Sequence, residues 1–94
     1  MIPTPEIIEF AKRFYELGGC NNHEIQTESE LWEWLIKHTY WFNIKSVVGT
    51  QGIRYIVIIY INSKQRKMTP YKNTDLHYAL YQAAVLVAEQ ESKK

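Results

Sequence analysis

Cysteine is nearly missing from this chain: Cys20 is the only one. An intrachain disulfide is therefore impossible, and a zinc cluster built on several cysteines is excluded. Long hydrophobic runs are missing too. The longest, "YIVIIYI" at 55–61, falls far short of the roughly 20 apolar residues a membrane-spanning helix needs. The first residues, "MIPTPEIIEF", have no basic region followed by an apolar run and a cleavage site, so no signal peptide is expected there. A soluble, cytoplasmic protein is the expectation. Charge of one sign is also lacking, since the formal net charge is only +1, which names no partner. No glycine-rich loop of the phosphate-cradling kind opens a helix; Gly18-Gly19 closes one instead.

What is present suits one small domain. Ninety-four residues are enough for a single core and too few for two. With 46% apolar residues the chain reads as globular rather than disordered. Three Trp and seven Tyr are many for this length. Large rings let a small domain bury area it could not otherwise collect, and they also favour binding surfaces. The small net charge hides a polarity, with residues 1–44 acidic on balance and residues 45–94 basic.

The order of elements follows from caps and periodicity. A helix is predicted from Pro5 to about Leu17, capped by Thr4, with Ile7, Phe10, Ala11 and Phe14 on one face and Gly18-Gly19 as its stop. A loop at 20–26 leads to Thr27-Glu28-Ser29-Glu30, the spacing of a capping box. The helix behind it buries Leu31, Trp34 and Leu35, flanked by Trp32 and Ile36, and ends near Thr39. Strands are predicted at 40–48, with Phe42, Ile44 and Val48 on one face, and at 53–62, joined by Gly49-Thr50-Gln51-Gly52. The second strand is apolar on both faces, so it should be central or covered on both sides. A polar edge strand at 64–68 and a last helix from about Thr74 to Glu91, capped by Asn73 or Thr74, complete an α+β domain of order α-α-β-β-(β)-α.

On the last helix, Leu76, Leu80, Ala83 and Val87 share one face, widened by Ala79, Ala84 and Leu86, and should pack on the hairpin. Tyr78, Tyr81 and Val85 form another flank. That flank either edges the core with its hydroxyls in water or meets a partner, including a second copy of the chain. The first helix is expected over the opposite face of the sheet, giving a helix–sheet–helix sandwich. This arrangement, with Trp34, Trp41, Ala79, Leu80, Ala83 and Ala84, resembles small phage and prophage proteins described as ABA-sandwich domains, over roughly residues 29–90. The resemblance implies an accessory, mobile-element protein, and it implies no site residues.

Catalytic and metal readings find little. His23, His38 and His77 are far apart, and none has a second ligand one turn away on its helix. Cys20 and His23 lack an orienting third group. Glu28, Glu30 and Glu33 are explained by capping and the helix dipole. No cofactor, metal or catalytic residue is expected. Two binding readings remain. A protein-binding or self-associating module would use Tyr78, Tyr81, Val85 and Trp32. A nucleic-acid binder would use the basic turn Lys64, Arg66, Lys67, Tyr71 and Lys72 through phosphate contacts and stacking. Against the second stands the acidic opening of the last helix at Asp75.

Overall fold

The computed structural model describes residues 5–21, 24–50, 52–68 and 75–92. It contains α1 (Pro5–Glu16), α2 (Glu28–His38), β1 (Trp41–Gly49), β2 (Gly52–Tyr60), β3 (Arg66–Met68) and α3 (Leu76–Ser92). The sheet is antiparallel throughout, in the order β1-β2-β3. The α+β class and the element order are those read from the sequence.

Local chemistry sets the helix ends. Gly18 has φ +83, and its N–H bonds to the Tyr15 carbonyl while that of Gly19 bonds to the Phe14 carbonyl. These are the two closing bonds of a Schellman motif, which needs the left-handed conformation that glycine takes without strain. Gly19 is required for space: a Cβ there would collide with the Phe14 ring. At α2, the Glu30 N–H donates to the Thr27 hydroxyl and the Thr27 N–H donates to the Glu30 carboxylate, both at 3.1 Å. That is the capping box. The cap of α3 is Asp75, whose carboxylate accepts from the His77 N–H at 3.0 Å. Asn73 and Thr74, read as the caps, lie outside the described residues, as do Thr4 and the loop histidine His23.

The layering departs from the sandwich expectation. α1 packs on α3 and α2, not across the sheet: Phe10 meets Tyr78, and Phe14 meets Trp34 and Tyr81, all edge to face. α3 in turn packs on β2, whose Val57 and Ile59 join the helical residues in one core cluster. All three helices therefore lie on the same side of the sheet, and α3 runs between the sheet and α1. This explains its composition. Ala79, Leu80 and Tyr81 are buried in succession, and so are Ala83, Ala84 and Val85. A helix apolar all round is one that is covered all round.

Ile56 and Ile58 point to the other face of the sheet, yet they are only 2% and 8% exposed. β2 is central, and the ladder partners of these two residues are Lys45, Asn43 and Met68. The second apolar face of this strand needs neither α1 nor a second molecule to cover it.

Replacing Gly19 by alanine forces the methyl against a fully buried ring and should cost about 1–3 kcal/mol. Gly18→Ala strains only the backbone and should cost about 1 kcal/mol. Urea unfolding of the two variants checks the order, with Gly19→Ala the weaker protein.

Candidate functional site

The flank Tyr78, Tyr81 and Val85, expected to face water or a partner, is core. Tyr81 is fully buried and Val85 is 7% exposed, because α1 covers the side of α3 that the sandwich arrangement would have left open. Tyr78 is half-buried against Phe10. Tyr81 and Val85 are thereby closed to a partner, whereas Tyr78 keeps part of its surface.

Tyr81 instead anchors a loop. The Gln26 N–H donates to its hydroxyl, and the Gln26 carbonyl accepts from His77 Nε2 at 2.6 Å. Since a carbonyl only accepts, Nε2 carries the proton. His77 and Tyr81 stand one turn apart on α3 with ring centroids 5.3 Å apart, so their heads satisfy both polar groups of one peptide residue, as a neighbouring strand would. The segment before α2 is held to α3 in this way, and the i, i+4 spacing was its sequence signal. Burial pushes the Tyr81 hydroxyl above its ordinary value; the Gln26 bond opposes this, and nearby Cys20 and Glu30 add to it.

The other described histidine and the cysteine are also packed into the fold. His38 stacks on Trp34, with centroids 4.1 Å apart, and its Nδ1 lies 2.8 Å from a Glu91 carboxylate oxygen. Cys20 is half-buried against the core. Among the described residues, no group of three His, Cys, Asp or Glu side chains is placed to hold a metal ion. Among the described residues, no helix is long and apolar enough to cross a membrane.

The exposed apolar surface lies elsewhere. α2 ends where the Thr39 N–H and hydroxyl both bond to the Leu35 carbonyl. One residue later the Tyr40 N–H bonds to the Tyr60 carbonyl, and the chain enters β1. This tight passage sets Tyr40 and Trp41 beside Trp32 and Ile36 of α2. Together with Thr39 and Phe42 they line a groove of about 260 Å³ that contains no charged side chain. The Trp32 ring stands edge-on to Phe42, with centroids 4.9 Å apart. Behind Trp32 a second groove of about 350 Å³ is lined by Glu28, Ser29, Glu33, Leu76 and Leu80. It has carboxylates, but no histidine or cysteine to pair them with for acid–base or nucleophilic work.

Of the protein-binding residues named from sequence, Trp32 alone is on this surface. Ile36, Tyr40 and Trp41 were missed, as were Val47, Val48 and Ile53 at the hairpin end, all exposed. Phe42 and Ile44 pack on the core as their parity predicts, but Val48 does not. The hairpin runs on past the helices, and no periodicity in β1 marks where they stop.

No known protein family, curated protein or solved structure matches the chain. The surface must be read from its own chemistry.

The basic turn is organised by Asn62, whose side-chain oxygen accepts from the Lys64 and Gln65 N–H groups at 2.8 Å. Lys64 and Arg66 are exposed and Lys67 is half-buried. Arg66 pairs with Tyr60 and Lys67 with Ile59, so the two cations fall on opposite faces of the sheet. Tyr71 and Lys72 lie outside the described residues. The face away from the helices carries Lys45, Arg54 and Arg66 around the ring pair Trp41 and Tyr60, whose centroids are 5.0 Å apart. It has no carboxylate among the described residues.

Tyr81→Phe removes the acceptor of the Gln26 N–H and should cost about 1–3 kcal/mol. Because folding raises the Tyr81 value, the native state holds this proton more tightly than the unfolded chain does. Its stabilisation is complete below pH 10 and is lost as the pH rises beyond 10 through the folded value. Urea unfolding from pH 8 to 11 should show wild type weakening more steeply than Tyr81→Phe above pH 10. Parallel curves would rule out this linkage.

Proposed function

We propose that this chain is a small non-enzymatic accessory protein, of the phage or mobile-element kind its resemblance implies, that binds another protein chain. Its surface is the groove between α2 and the start of β1, together with the β1 edge. One observation carries the reading: Trp32, Ile36, Tyr40 and Trp41 are exposed together on an uncharged groove. They do so beside a nine-residue strand that has a ladder partner on one side only among the described residues. Exposed apolar clusters of this kind mark interaction sites, and tryptophan and tyrosine are the residues that dominate interface energetics. The two edges of the sheet support the reading by their contrast. β3 is three residues long and carries Arg66 and Lys67, a blunted edge. β1 is long and apolar at both ends, with Lys45 as its one charge.

A second reading is favoured by the face opposite the helices. Lys45, Arg54 and Arg66 around Trp41 and Tyr60 suit single-stranded nucleic acid, which needs phosphate partners and ring platforms. On this reading the binding element is the sheet face rather than the turn 64–72.

Trp41 and Trp32 are half exposed, so Trp32→Lys and Trp41→Lys should leave the circular dichroism spectrum and the urea midpoint nearly unchanged. Each should remove a protein that co-purifies with wild type from its native host. Retention of that protein by both variants would sink the first reading. In fluorescence anisotropy with a labelled oligonucleotide, the second reading requires affinity that falls steeply with salt and drops about tenfold in Arg54→Glu. Absence of both effects removes it.

A further inference from the structure

The exposed apolar residues of β1 and its entry form a symmetric pattern. Tyr40, Trp41, Val47 and Val48 are 69%, 52%, 41% and 78% exposed. They stand four and three residues before Ile44, and three and four after it. Antiparallel pairing of this strand with another copy of itself, centred on Ile44, would therefore set Tyr40 opposite the partner's Val48 and Trp41 opposite the partner's Val47. Each pair then occurs twice. Such a two-fold axis stands perpendicular to the sheet, so each residue meets one of its own face. Even-numbered β1 residues are on the helix side and odd-numbered ones on the other.

We propose that a second copy of this chain is the occupant of the β1 edge, paired antiparallel about a two-fold axis at Ile44 to give a six-stranded sheet. The proposal rests on the protein-binding reading above and names its partner. Charge supports this register. Lys45, the only ionised residue of β1, meets the partner's Asn43, a hydrogen-bonding neighbour, whereas a register one pair further along would set it against the partner's Lys45. The grooves support it as well. On the helix side the partner's Val48, with the partner's Ile53 beside it in the hairpin ladder, arrives at Tyr40, where Trp32 and Ile36 wall the uncharged groove. Among the described residues, nearly all the large exposed apolar side chains are covered together, with Ile8 on α1 left out.

Tyr40, Trp41, Val47 and Val48, exposed beside the groove walled by Trp32 and Ile36, offer the apolar side chains that a standard interface of about 800 Å² per partner buries. The contact also ends the exposure of the longer edge of the sheet, leaving the short basic β3 as the edge of the assembly.

Light scattering on the full chain tests the pairing. Wild type should run at twice 11.2 kDa at about 100 µM, where a micromolar dimer is formed. Val48→Lys changes a side chain that touches little in its own subunit, so it should fold normally and run as a monomer. Asn43→Lys places a cation opposite the partner's Lys45 at two sites and should weaken the dimer about three- to tenfold, while Asn43→Glu should tighten it by a similar factor. A wild-type monomer at this concentration overturns the proposal, and so does a dimer indifferent to Val48→Lys. Equal effects of the two Asn43 variants overturn the register at Ile44. The two readings fail separately: a monomer that still loses an identified partner protein in Trp41→Lys refutes self-pairing and leaves the binding surface standing. A monomer whose oligonucleotide affinity falls in Arg54→Glu refutes self-pairing in favour of the nucleic-acid reading.

Discussion

The structure depends on α3 being covered from two sides at once. A helix wedged between a sheet on one flank and another helix on the other has little face left for solvent. It must therefore be small wherever backbones approach and apolar wherever they do not. Ala79, Ala83, Ala84 and Ala88 meet the first demand, and Leu80, Tyr81, Val85 and Val87 the second. Because α3 accepts α1 on its far side, α1 is not available to the sheet, and all the helices gather on one side of it. No described helix packs on the opposite sheet face or the hairpin end, and the outer edge of β1 has no ladder partner among the described residues.

Small polar devices tie the layers into one arrangement. The Gly18-Gly19 cap turns the chain under Phe14, and Phe14 reaches both Trp34 and Tyr81. Tyr81 and His77 then hold Gln26, which sets the start of α2 a residue before its capping box. One buried ring thus connects the end of α1, the loop and α2 to α3. The hydroxyl of Tyr81 strengthens this arrangement, because a partly buried N–H left without an acceptor costs more than the bond itself contributes. A tyrosine that looks in sequence like an edge residue with its head in water is in fact the centre of the helical layer.

Function follows from what this packing leaves uncovered. The helices end short of the hairpin tip and short of the outer side of α2. Trp32, Ile36, Tyr40 and Trp41 collect there, while Glu30, Asp75 and His77 serve as caps and clamps. The molecule has no convergent polar constellation among its described residues, but it has a groove, an edge and a basic sheet face. These features support the proposed binding role, and the mirror-like spacing of exposed residues about Ile44 supports self-pairing at the edge.

By itself the sequence determined everything governed by near neighbours. The capping box at Thr27 and Glu30, the glycine stop of α1, the hairpin between Gly49 and Gly52, the centrality of β2 and the α+β order all depend on residues a few positions apart, whose chemistry is written locally. The tertiary structure alone decided which side of the sheet α1 would take, and with it the fate of Tyr81, Val85 and the outer surface. A helical stripe states that a face must be buried and leaves open against what. Alanines and leucines on α3 fit a sheet or a helix equally well, so the choice between them was made by packing. Val48 shows the same limit from the other direction: its parity is that of the core, but exposure depends on where the helices above it end, a length set by other segments of the chain.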